Sequence, residues 1–154
     1  MQSFVCGTRL CFGADAPAAL AGLHAERVLL VTDPYFAENG TAARYAAAFP
    51  GAQVEIFSDV APDPPLSLVA QGVARLQALR PDTLLALGGG SAIDTAKIMW
   101  IMYENPEEGF LDMATTFLDI RKRIRFFPQM GKKAKLVCIP TTAGTGSECT
   151  PFTI

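Results

Sequence analysis

The stretch Leu84-Leu85-Ala86-Leu87-Gly88-Gly89-Gly90-Ser91-Ala92-Ile93-Asp94-Thr95-Ala96-Lys97 reads as a buried strand, a triple-glycine turn and a helix opening on a serine. Three consecutive glycines remove every Cβ at the turn, so the backbone can take positive φ and a ligand can approach closely. The helix that follows aims its free N–H groups and positive dipole end at that ligand, which suits a phosphate. Ser91 with Asp94 three residues on has the form of a capping pair and is expected to fix where the helix begins. The segment lacks the Gly-Lys-Ser/Thr of a P-loop and the spacing of a G-x-G-x-x-G fingerprint. Glycine-rich turns of this kind also serve close packing alone, so a second element is needed.

That element is Pro140-Thr141-Thr142-Ala143-Gly144-Thr145-Gly146-Ser147-Glu148, which follows the apolar run Leu136-Val137-Cys138-Ile139. Thr141, Thr142, Thr145 and Ser147 supply four hydroxyls that can donate to phosphate or ribose oxygens without adding charge. A loop of this kind can also cap its own backbone. Two small-residue loops after two separate strands favour a ligand, because an open α/β sheet binds beyond the carboxyl ends of its strands. A third piece is Arg27-Val28-Leu29-Leu30-Val31-Thr32-Asp33, a strand ending in a carboxylate. Asp33 can accept hydrogen bonds from a ribose diol and repel a 2′-phosphate, which argues for NAD over NADP. Standing before Pro34, it can equally open a turn and cap the next helix, and the two roles are compatible.

Together "GGGSAIDTAK" and "PTTAGTGSE" resemble the iron-containing (group III) alcohol dehydrogenase family, and the chain is similar to that family's N-terminal nucleotide-binding domain throughout. The region from Ile98 to Ile154, with "MYENPEEGF", "FLDIRKRI" and "KKAKLVCIPTTAGTGSECTPF", most resembles the alcohol dehydrogenase half of bifunctional acetaldehyde–alcohol dehydrogenases. The earlier "TRL", "PDP" and "QGVARLQAL" are similar to propanol and ethanol dehydrogenases. The resemblance implies that Gly88, Gly89, Gly90 and Ser91 hold the pyrophosphate of NAD, with Asp94 in the same cradle. It implies that Thr141, Thr142 and Thr145 contact the cofactor from the second loop, with Thr150 beside them. Asp33 would face the adenosine ribose, and Asp63 of "PDPP" would lie near the adenine.

The resemblance further implies hydride transfer between a small primary alcohol or aldehyde and NAD(H). The family's catalytic divalent metal, iron or zinc, is held by one aspartate and three histidines of a helical C-terminal domain. This chain has one histidine, His24, which matches no such ligand. The metal is therefore expected only in a full-length enzyme. Residues 1–154 are expected to be one dinucleotide-binding domain, cut in mid-strand at Pro151-Phe152-Thr153-Ile154 and inactive alone. The competing reading is a non-catalytic dinucleotide-binding or assembly module, forming a homo-oligomer through an edge strand near residues 3–12.

Length and composition agree with one soluble domain. A chain of 154 residues can bury roughly 68–70% of its unfolded surface. Half of the residues are apolar and the net charge is −2, which favours neither nucleic-acid binding nor disorder. No run approaches the ~20 apolar residues of a membrane span, and the start lacks the regions of a signal peptide; the expectation is a cytoplasmic protein. Cys6, Cys11, Cys138 and Cys149 lack the paired spacing of a metal site and read as reduced thiols.

The segment order predicts a hairpin or edge pair over 3–13, a small helix at about 16–24 and a strand at 27–32. A helix near 35–48 follows, weakened at Asn39-Gly40, then a strand at 53–57. Next comes a helix whose Leu66, Val69, Val73, Leu76 and Leu79 form one apolar face. A strand at 83–87 and a helix at 91–104 complete the regular part. This alternation is that of a Rossmann-like α/β fold, a parallel sheet flanked by helices. Phe110, Met113, Phe117, Ile120, Ile124 and Phe127 predict a further amphipathic helix between 105 and 134, beside a basic run that reads as a solvated face.

Overall fold

A computed structural model of the chain describes residues 7–107 and 129–149. Four strands, β1 (Arg27–Thr32), β2 (Gln53–Phe57), β3 (Thr83–Gly88) and β4 (Lys135–Pro140), form one sheet in the order β2-β1-β3-β4. Every pairing is parallel. Leu30 lies opposite Ile56 on one side and Leu85 on the other, and Leu85 lies opposite Val137. The Val- and Leu-rich runs of β1 and β3 place them at the centre, where both faces are covered. All six residues of β3 are buried.

The chain steps outward from β1 to β2, then crosses back to lay β3 on the other side of β1. The direction of winding therefore reverses between β1 and β3, and a crevice opens there beyond the strand ends. Asp33 follows β1 and Gly89 follows β3, so both border this crevice. The Thr32 hydroxyl donates to the Leu87 carbonyl across the buried gap at 2.8 Å and ties the two strand ends together.

Helices cover both faces. Alternate strand residues point to opposite sides, so Leu29, Val31, Leu84 and Ala86 pack under α3 (Leu66–Leu79) and α4 (Gly90–Glu104). Val28, Leu30, Leu85 and Leu87 pack with Leu20 of a 3-10 turn (Ala16–Gly22), with Ala42 and with Phe49 on the other face. Fully burying a leucine such as Leu76 or Leu85 contributes about 1.5–3 kcal/mol, so the two faces hold most of the driving force.

Several expectations are corrected. Residues 7–13 carry no strand, so the hairpin and the edge for pairing two copies are absent from the described part of that segment. The expected helix 35–48 is two short helices, α1 (Pro34–Glu38) and α2 (Thr41–Ala46), because Gly40 takes φ +81° and Asn39 Oδ1 accepts the Thr41 N–H at 2.9 Å. Leu66 is 55% exposed at the first residue of α3, and Leu68 takes its place in the core. The amphipathic helix drawn through Phe110 to Phe127 lies outside the described residues.

Two carboxylates close the chain crossings at the end of the sheet away from the crevice. Glu104, at the last residue of α4 and buried, accepts the backbone N–H groups of Lys132, Lys133 and Ala134 at 2.8–3.1 Å. The chain that leaves α4 is thereby fastened where it returns to start β4, and Trp100 Nε1 donates to the Ala134 carbonyl at 2.8 Å beside it. Asp82, just before β3, accepts from the Glu26 and Arg27 amides at 2.8 and 3.0 Å and so holds the start of β1. Desolvation pushes the Asp82 carboxyl up. The two amides, the Thr83 hydroxyl and the Arg27 charge outweigh it and hold the group below its ordinary 3.8.

A carboxyl depressed in the folded state adds stability that is present above its unfolded pKa and lost as pH falls through the folded value. Asp82→Asn is therefore expected to unfold more easily than the parent by about 1–2 kcal/mol at neutral pH, allowing for solvent screening at this half-exposed site. The difference is expected to shrink below about pH 4. Urea titrations of both proteins at neutral pH and near pH 3 check it; a gap that stays constant across that range rules out the charge as its source.

Candidate functional site

The crevice at the β1–β3 reversal holds a cleft of about 480 Å³, lined by Asp33, Phe36, Val60, Ala61, Pro62, Gly89, Gly90, Ser91, Ala92, Thr141 and Thr142. Its floor is the glycine turn. Gly88 takes φ +149°, and a Cβ placed there would meet the Ala92 Cβ at 2.7 Å and Asp33 Oδ2 at 3.6 Å. The Thr141 N–H donates to the Gly88 carbonyl at 2.9 Å, so the hydroxyl loop at residues 141–149 is pinned directly onto the turn. A Cβ on Gly89 would lie 2.9 Å from Thr142 Oγ1, and one on Gly90 would touch Ser147 and Thr145 at 3.5–3.7 Å.

Helix α4 opens differently from the sequence expectation. Its N-cap is Gly89, which has no side chain to cap with, and the first intrahelical bond runs from the Ile93 N–H to the Gly89 carbonyl at 3.2 Å. Ser91 lies inside the helix and exposed, and Asp94 is turned to Lys97 at 2.8 Å. The Ser91–Asp94 capping pair is therefore not formed. The consequence is chemical: the amides of Gly90, Ser91 and Ala92 stand in the first turn, where a helix satisfies none of its own N–H groups, and all three residues border the cleft.

On the facing wall, Asp33 does two things at once. It is the N-cap of α1, where Oδ1 accepts the Phe36 N–H at 3.1 Å, and its other oxygen is the one nearest Gly88. Pro34 at the first helical position sets the φ that brings this about.

The structure thus brings Asp33, Gly88, Gly89, Gly90, Ser91, Thr141, Thr142 and Thr145 together around one cleft and its rim. Asp63 is exposed at φ +48° and lies one residue beyond the lining formed by Ala61 and Pro62. Asp94 is buried with Lys97 and does not line the cleft. Thr150 lies outside the described residues. Sequence reasoning missed Phe36, Val60, Ala61 and Pro62 as walls. Phe36 had a readable signal, since it stands at the capping distance from Asp33, and Pro62 adjoins the "PDPP" turn.

A profile of iron-containing alcohol dehydrogenases matches residues 7–154. The chain belongs to the iron-containing alcohol dehydrogenase family. It is 48% identical over 131 residues to the bifunctional aldehyde-alcohol dehydrogenase of Escherichia coli K12, a match that covers 84% of this chain and 15% of that protein. Its fold is similar to an iron-containing alcohol dehydrogenase from Thermococcus thioreducens, with TM-score 0.79 and 28% identity over 94% of this chain and 38% of that one. It is also similar to sulfoacetaldehyde reductase from Bifidobacterium kashiwanohense, solved in complex with NAD+, with TM-score 0.74 and 26% identity over 97% of this chain and 38% of that one. The chain therefore spans well under half the length of these relatives.

Among the described residues no group of three or more His, Cys, Asp or Glu side chains converges as a metal site, and His24 is exposed. The described donor set does not fit the family's divalent metal. Among the described residues, too, no helix is long and apolar enough to cross a membrane.

Gly88→Ala adds both a clash with Ala92 and strain at positive φ, whereas Gly51→Ala adds only strain, since φ is +85° and no atom lies within 4 Å. Gly88→Ala is expected to destabilise by about 2–4 kcal/mol and Gly51→Ala by about 1 kcal/mol. Equal urea midpoints for the two variants would remove the contact between Gly88 and helix α4 from the account.

Proposed function

We propose that this chain is the dinucleotide-binding part of an iron-containing-type alcohol dehydrogenase and that its cleft takes NAD(H). The observation that carries the reading is the pairing of an uncapped helix start with a carboxylate across one crevice. The amides of Gly90, Ser91 and Ala92 suit the pyrophosphate. The hydroxyls of Thr141, Thr142 and Thr145 add neutral donors from the other loop. Asp33, already fixed in place by the Phe36 amide, accepts from the ribose diol and disfavours a 2′-phosphate. Ala61 and Pro62 form an apolar wall for the adenine, next to Asp63.

Bound in this cleft, the cofactor supplies the hydride-accepting nicotinamide, and the chain supplies binding and orientation. Helix α4 and the hydroxyl loop are already locked together through Gly88 and Thr141, so little conformational entropy remains to be lost when they close on a ligand. The substrate class of this reading is a small primary alcohol or aldehyde; similarity to aldehyde-alcohol dehydrogenases supports it. The described residues do not fit the family's metal, so the 154-residue chain by itself is proposed to bind NAD(H) without catalysing its reduction or oxidation.

Trp100 is the single tryptophan and lies ten residues along α4 from Gly90, roughly 15 Å away, which suits energy transfer to a bound reduced nicotinamide. Titration with NADH is expected to give saturable transfer, and NADPH a weaker response. Asp33→Ser keeps a capping hydroxyl on α1 and is expected to narrow the NADH/NADPH preference by about tenfold, the scale of one lost charge-assisted bond. Unchanged discrimination would take Asp33 out of the ribose site, and no transfer to either nucleotide in a folded chain would overturn the cofactor reading itself.

A further inference from the structure

Among the described residues that line the cleft, one side chain is charged, Asp33, and one is aromatic, Phe36. No lysine, arginine or histidine stands among them. For a site read as holding a diphosphate this is a demanding arrangement. Amides and hydroxyls can orient the phosphate oxygens, but the one full charge in the lining repels them. Affinity then has to come from an uncharged part of the ligand. The apolar part of the lining beside Asp33 is Phe36, Val60, Ala61 and Pro62, carried by the chain that follows β1 and β2. The Val60 N–H donates to the Thr32 carbonyl at 3.4 Å, which brings those two segments together at the end of β1.

Of these four residues Phe36 has the aromatic face, and three contacts hold it in place. Its backbone N–H donates to Asp33 Oδ1 at 3.1 Å. Its ring meets the Tyr35 ring edge-on, with centroids 5.2 Å apart and planes at 74°. Half-buried, it also packs against the core cluster that contains Ala42 and Phe49. Tyr35 is 68% exposed and lies outside the lining, so the two adjacent aromatics are not equivalent. A ring fixed in this way has little side-chain freedom left to lose on binding. Stacking against a nucleobase asks for such a face and for no charge.

We propose that Phe36 is a specificity-determining residue of the cleft: its ring is the face on which the base of the nucleotide stacks. That contact, and not a basic side chain, carries the affinity. The proposal deepens the reading of the cleft as a dinucleotide site and rests on it. Base and ribose are then read by one short element, because the cap bond that orients the Asp33 carboxylate runs to the Phe36 amide.

The test titrates the folded 154-residue chain with NADH and NADPH, and with ADP-ribose as a competitor that displaces NADH. In the parent, NADH affinity is expected to change by less than about threefold between about 50 mM and about 500 mM salt, since no exposed cation is there to be screened. Phe36→Leu, which keeps an apolar side chain against the core, is expected to weaken NADH and ADP-ribose by about tenfold. Phe36→Tyr keeps the ring and is expected to match the parent. The NADH/NADPH ratio is expected to hold in both variants, because the cap to Asp33 is made by the backbone. Equal NADH affinity in Phe36→Leu and the parent overturns the proposal. So does a steep loss of affinity with salt, which assigns the binding to a cation. A ratio that narrows in Phe36→Leu overturns it as well, since the loss then comes from a displaced Asp33. If the folded parent binds neither NADH nor ADP-ribose, the cofactor reading falls together with this one; binding by the parent without an effect at Phe36 leaves that reading standing. Should Phe36→Leu not fold by circular dichroism, Phe36→Met carries the same expectations and the same refutations.

Discussion

Everything near the cleft depends on how closely two backbones meet at Gly88. Its carbonyl accepts the Thr141 amide at 2.9 Å, and the space that a Cβ would fill is taken by Ala92. Strand β3, helix α4 and the loop after β4 are therefore joined at one residue without a side chain. Any other amino acid would push the helix off the strand end or the loop off the helix. The close approach also explains the open helix start, since a capping side chain at Gly89 would collide with Thr142 Oγ1.

Carboxylates do much of the fastening elsewhere. Asp33, Asp82 and Glu104 each accept backbone amides at a point where the chain enters or leaves the sheet. Asp82 and Glu104 hold the end of the sheet opposite the cleft, and Asp33 works at the cleft itself. The same chemistry thus carries different meanings by location: at the closed end the amides satisfy the charge, while at the open end Asp33 keeps an oxygen beside the turn. Asp94 and Lys97 form a further, buried ion pair on α4, 2.8 Å apart.

The sheet was legible because β1 and β3 are buried on both faces, so their apolar runs are continuous and have no competing reading. The loops after β3 and β4 were legible because glycine and hydroxyl residues at strand ends have few structural uses that also recur twice. Other features were hidden for physical reasons. Ser91–Asp94 has the spacing of a cap, but Asp94 also stands three residues before Lys97 on the same helix, and it is that local, buried ion pair that forms. Leu66 fits the helical period and yet stands at the first turn, where the prolines of residues 62–65 lead the chain along the surface. The Asn39-Gly40 pair was visible as a weak point, but whether it would bend or break the helix depended on Gly40 reaching positive φ. Asp63 and Asp94 carried suitable chemistry at suitable spacing. What places the first one residue past the cleft wall and the second beneath it is the path of the backbone, which residue type does not encode.

The fastening by Glu104 has a consequence for how this fold can vary. Because one carboxylate grips residues 132–134, the two ends of the segment between α4 and β4 meet at a single closed gate. The entropy of closing a loop grows only slowly with its length, by about 0.6 kcal/mol per doubling. A sheet gated in this way registers little of what is spliced between Asn105 and Gly131, whether shorter, longer or of different character. Diversification can proceed there, as a graft on a rootstock, without disturbing the cleft at the other end of the sheet.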